Sequence, residues 1–233
     1  LLGVGEEGCD GVTMALAATL EDKLEKVKPA LRGTFHTFGF VASVFGIVEL
    51  ALSPTEGWRY VAGVLYGCSL TLMLGLSALY HRPMWSHAAR NRLRMADHIG
   101  IYFLISGTCT PFAALVSPRA PTLGLIGMWL GAVAGIVYAL VQSHGPRQLR
   151  AAAYVVLGLC AAPMVLSLPE TIGWDRVAFL LAGAVVSISG AVVYARRWPN
   201  PQPNFFGYHE VFHVMVLIAA GLHYAAVWGV QQR

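Results

Sequence analysis

Seven stretches of about twenty mostly apolar residues, 33–53, 60–81, 97–117, 121–141, 150–168, 175–195 and 209–229, follow one another almost without pause along this chain. Each is long enough, at about 1.5 Å per helical residue, to cross roughly 30 Å of hydrocarbon. The breaks between them carry turn chemistry: Ser53-Pro54, Arg82-Pro83, Ser117-Pro118 with Pro121, Gly145-Pro146, and the three prolines of Pro199-Asn200-Pro201-Gln202-Pro203. The fifth stretch is the least regular, being short and containing Pro163. Of 233 residues 56% are hydrophobic and 12% charged, and the mean hydropathy is +0.60. That balance is far too apolar for a soluble domain and leaves no room for a separate one. The expected fold is an all-α integral membrane protein, a seven-transmembrane helix bundle over residues 33–230, preceded by a segment of residues 1–32.

Loop charge gives an orientation. Of the sixteen basic residues, twelve fall in the N-terminal segment and the second, fourth and sixth loops; four (Arg59, Arg119, Arg176 and Arg233) fall in the others. The positive-inside rule then predicts a cytoplasmic N-terminus, a C-terminus outside, and residence in the cell (inner) membrane as a multi-pass protein. Nothing in the charge pattern suggests a nucleic-acid partner. Residues 1–32 lack the basic start of a signal peptide, and Glu21 to Lys28 mix both signs at helical spacing, which predicts a short surface helix. Cys9, Cys68, Cys109 and Cys160 form no Cys-x-x-Cys pair, and three lie in apolar runs, so they read as small packing residues.

The polar residues inside the apolar runs are few, and such residues are costly in a bilayer unless they work. His209 and His213 stand four apart at the start of the seventh span, hence on one helix face. His81 closes the second span, with Ser77 one turn deeper on the same face, and Asp97 opens the third. With the orientation above, all five lie toward the cytoplasmic side. Three histidine nitrogens and one water make the open tetrahedral pattern of a catalytic zinc, with Asp97 placed to orient that water or take its proton. Asp97 at a helix start is also favoured by the macrodipole. The string His209-Glu210-x-x-His213 also fits the short motif of zinc proteases, in which Glu210 would be the general base, against which stands its place at the span boundary, where a glutamate can simply face the headgroups. Hydrogen-bonded histidines near the headgroups are the plainer alternative.

Other residues are weaker candidates. His98 is turned about 100° from Asp97, His87 and His144 fall in loops, and His36 opens the first span, where it could support the site. His223 lies ten residues past His213, about 15 Å deeper, with Tyr224 and Trp228 beside it in the outer half. Gly127, Gly131 and Gly135 recur every fourth residue, which suits close helix packing within the bundle or between copies in a homo-oligomer. The Trp198–Phe206 tract is a stiff connection that either covers the metal mouth or links two spans.

Taken together, Ser77-x-x-x-His81, Asp97-His98, Gly107-Thr108-Cys109-Thr110-Pro111-Phe112, and His209-Glu210-x-Phe212-His213 with His223-Tyr224 resemble the hemolysin III family, the bacterial branch of the progestin and adipoQ receptor superfamily, related more broadly to alkaline ceramidases. The resemblance covers about residues 30 to 230. It implies a zinc ion near the cytoplasmic face, with His81, His209 and His213 as ligands, Asp97 holding the metal's water and Ser77 lining the site. It also implies a substrate drawn from membrane lipids, entering from the bilayer, whose amide or ester is hydrolysed in ceramidase fashion. Cys109 stands where the family usually carries an aromatic residue, commonly tyrosine. Two other functions stay open: a membrane sensor, channel or cytolysis-related protein with a structural zinc, and an intramembrane zinc protease using Glu210. An exported toxin is not the expected reading, since that would need an amphipathic pore-forming element and a secretion signal.

Overall fold

Wherever the apolar runs predict a span, a helix forms. The computed structural model describes residues 29–117, 122–142 and 145–232. Among these, α1 (Thr34–Ala51), α2 (Gly57–His81), α3 (His87–Val116), α4 (Leu123–Val141), α5 (Arg147–Leu159), α6 (Ala162–Leu166), α7 (Pro169–Ile172), α8 (Trp174–Arg196) and α9 (Tyr208–Gln231) follow in order. Seven units are long and apolar enough to cross a membrane, α5 and α6 together making the fifth. The chain is therefore a multi-pass membrane protein with a seven-helix, all-α architecture. The surface helix expected near residues 21–28, and His144, lie outside the described residues.

Two boundaries differ from the apolar pattern for local reasons. The third helix begins at His87, ten residues before Asp97, because Ser86 caps it by accepting from the Ala89 amide at 3.4 Å. His87 is therefore helical and pairs with Asn91 at 3.3 Å. The basic stretch Arg90–Arg94 forms polar turns beyond the apolar part. Asp97 consequently sits in the third turn, too far from the helix start for the macrodipole to favour it. In the fifth span, Pro163 has no N–H to give to the carbonyl of Leu159, four residues back, and α5 ends at Leu159.

The bundle is closed. Around its circumference α1 packs on α2, α2 on α3, α3 on α5, α5 on α8, α8 on α9 and α9 on α1, with α4 laid outside α3 and α5. Within their apolar windows α2 and α3 are 56% and 61% buried, against 17–28% for the other five spans, so these two carry most of the interior. Side chains such as Phe38, Phe45, Leu130 and Val185 are left facing outward, as a bilayer allows. Of the glycine stripe on α4, Gly135 abuts the Tyr102 ring and Gly131 lies against Leu157, whereas Gly127 meets nothing. Its close packing is internal at two of three positions.

Candidate metal centre

Alternation of the spans brings six polar side chains to one end of the bundle. Ser77 and His81 come from the last turns of α2, Asp97 from α3, His209 and His213 from the first two turns of α9, and His36 from the first turn of α1. Nε2 of His81 and Nε2 of His209 are 3.2 Å apart, and the coordinating atoms of His81, His209 and His213 all lie within 4.8 Å of one another. Two nitrogens on one tetrahedral zinc, each at about 2.0–2.1 Å, are separated by about 3.4 Å. The observed spacing suits a shared cation, with the His213 side needing a small inward turn. An all-imidazole donor set of this kind suits zinc, as it suits copper, iron or nickel.

The surroundings hold the rings in place. His36 stacks on His213 with centroids 3.8 Å apart and planes 4° from parallel, and its Nδ1 meets Oγ of Ser77 at 2.8 Å. Asp97 Oδ2 lies 3.9 Å from Nε2 of His81, and Ser77 borders the same carboxylate. His36 thus supports the cluster, joining α1 to α2 and α9. Gly33, just before α1, has φ +78°, and a Cβ there would fall 2.7 Å from Cβ of His81. No spacing in the sequence points to this contact, since a glycine ahead of a helix looks like an ordinary cap.

Glu210 is occupied elsewhere. Its Oε1 accepts from Nε of Arg32 at 2.5 Å and its Oε2 from the Gly207 amide at 2.9 Å, and the residue is 1% exposed. Oε1 thus ties the start of α9 to the chain preceding α1, while Oε2 caps the first turn of α9 itself. The Trp198–Phe206 tract belongs to the same tie: Asn204 and Phe205 carbonyls accept from the amides of Ala30 and Leu31, and Phe206 packs edge-on against Phe35. None of its residues lines the mouth beside the histidines.

Two cavities meet at the cluster. The first, about 420 Å³, is a polar mouth at the end of the bundle lined by His81, Asp97, His209 and several arginines. The second, about 250 Å³, runs through the bundle's interior between apolar walls that include Ile101, Phe112, Val165 and Val216. Asp97, His98, Tyr194 and His209 border both. His98, a weak candidate by its offset of about 100° from Asp97, therefore sits at the junction. His223 lines the deep end of the apolar cavity and faces the Leu180 carbonyl at 3.4 Å, well away from the cluster. Tyr224 instead bonds Glu49 and the Gly46 carbonyl. Cys109 is on the cavity wall, where a larger ring would take up part of the space.

The profile of the haemolysin-III-related family matches residues 24–224. The chain belongs to the hemolysin III family. Hemolysin-3 of Bacillus cereus is 26% identical over 198 residues, covering 82% of this chain and 86% of that protein. The Hemolysin-3 homolog of Bacillus subtilis (strain 168) is 28% identical over 188 residues, 78% and 84% of the two chains. A human relative, monocyte to macrophage differentiation factor, is 25% identical over 199 residues, 83% and 80%. With these relatives, the hemolysin III chain falls within the progestin and adipoQ receptor superfamily.

Proposed function

We propose that this hemolysin III protein is a zinc-dependent hydrolase of a lipid amide or ester, held in the cell (inner) membrane with the metal site toward the cytoplasm. The observation that carries the reading is the convergence of three imidazoles and one carboxylate where a polar mouth meets an apolar cavity. His81, His209 and His213 would hold the ion. The chemistry supplied when zinc is bound is Lewis acidity toward the acyl carbonyl and a lowered pKa for a nearby water.

The residues do the rest. Asp97 accepts the proton of the attacking water, whose oxygen bonds to the acyl carbon. It then returns that proton to the departing nitrogen or oxygen as the C–N or C–O bond breaks, giving a free acid and an amine or alcohol. Ser77, fixed by His36, orients the Asp97 carboxylate. The apolar cavity holds the acyl chain and keeps bulk water from the reacting carbon. Glu210 is a poor base for a protease-like reaction because both of its oxygens already accept hydrogen bonds.

Asp97→Asn tests this directly. Purified protein carrying it should keep its zinc and lose about 10²–10⁴-fold in turnover of an N-acyl or O-acyl lipid. Turnover at the wild-type rate would overturn the role given to Asp97.

A further inference from the structure

Four arginines line the mouth, and three of them, Arg94, Arg147 and Arg150, have no acidic partner among the described residues, whereas Arg32 is paired with Glu210. Arg82, Arg92, Arg196 and Arg197 are exposed, as loop cations beside a bilayer ordinarily are, and Arg90 is half-buried but outside the mouth. Arg94 of α3 and Arg147 and Arg150 of α5 are instead half-buried and line the cavity beside the histidines. Nε of Arg94 and Nε of Arg150 are enclosed without a hydrogen-bond partner. Arg147 donates to the Tyr208 hydroxyl at 3.5 Å. Among the described residues, no carboxylate lies within ion-pair distance of any of the three: Arg32 has Glu210, and Asp97 faces His81.

Half-buried guanidinium groups without a counter-charge are unfavourable unless a ligand supplies one. The complement to several planar N–H forks from two helices is an anion with several oxygens, and a phosphate presents three. The same mouth shares Asp97, His98, Tyr194 and His209 with the apolar cavity. An amphiphile lying across that junction would put its anionic head among the arginines, its hydrocarbon in the cavity, and the bond between them beside the histidines.

We infer that Arg94, Arg147 and Arg150 form a headgroup subsite, and that the lipid taken by this protein carries a phosphate on the polar side of its acyl linkage. The inference rests on the hydrolase reading for the position of that linkage. The subsite itself is a binding property and is measurable without turnover.

The test is equilibrium binding to the purified full chain in micelles of an uncharged, phosphate-free maltoside detergent, comparing monooleoyl glycerophosphate, monooleoyl glycerol and inorganic phosphate. The phosphorylated lipid should bind at least about tenfold tighter than its uncharged counterpart. Arg94→Gln and Arg150→Gln should each remove most of that preference while leaving the uncharged lipid's affinity in place. Arg92→Gln, an exposed loop control, should leave the preference unchanged. Equal affinity for the two lipids, or a preference that survives both mouth substitutions or falls equally with Arg92→Gln, overturns the subsite. So does inorganic phosphate displacing the lipid at matching concentration, which would mark a site for the free anion. A charged-lipid preference without turnover of either lipid would remove the hydrolase reading and leave the subsite; turnover of both without preference would do the reverse.

Discussion

At Gly33 the backbone passes directly beneath the putting-in-place of His81: φ is +78°, where L side chains are strained, and an added methyl would press on the histidine's own Cβ. Gly33→Ala should therefore weaken zinc affinity by about tenfold or more through displacement of His81, the scale seen when residues supporting a metal ligand are changed. Competition against a chelating dye measures it, and an unchanged affinity would mean that His81 does not need that close approach. Single residues also mark what sequence can carry. The four-residue spacing of His209 and His213, and of Ser77 and His81, makes each pair legible as one helix face. Gly33 against His81 and His36 stacked on His213 are contacts between distant parts of the chain, for which no spacing rule exists.

Among the elements, the start of α9 is where the two readings of the His-Glu-x-x-His string separate. Glu210 there joins Arg32 and the Gly207 amide. Glu210→Gln weakens a buried ion pair whose arginine is 24% exposed, so it should lower stability by about 1–3 kcal/mol, seen as a reduced melting midpoint. Turnover per folded molecule should persist. Its loss with stability unchanged would restore Glu210 as the base. The string alone was ambiguous because the partner that occupies the glutamate, Arg32, sits 178 residues away. The boundaries of α3 and the break in the fifth span follow from Ser86 and Pro163, local signals that an apolar window averages over.

At the scale of the molecule, the seven spans were plain in the sequence because bilayer thickness fixes their length. The gathering of the site residues also followed from alternation: consecutive helices run in opposite directions, so the end of α2 and the starts of α1, α3 and α9 share one end. The cavities were not legible, since their walls draw on residues from most of the helices. Orientation is open to measurement. In a cysteine-free background, Glu170→Cys, between α5–α6 and α8 at the end away from the histidines, should react with a membrane-impermeant maleimide added outside intact cells. Arg92→Cys should react only after permeabilisation. The reverse pattern would invert the assigned topology.

The hydrolase chemistry requires that the three imidazoles of His81, His209 and His213 hold one metal ion. Metal analysis of the purified wild type beside His81→Ala and His213→Ala addresses that point without requiring a known substrate. One equivalent of zinc in the wild type and less than about a tenth in each folded variant is the expected result. A full equivalent retained in both variants would contradict it.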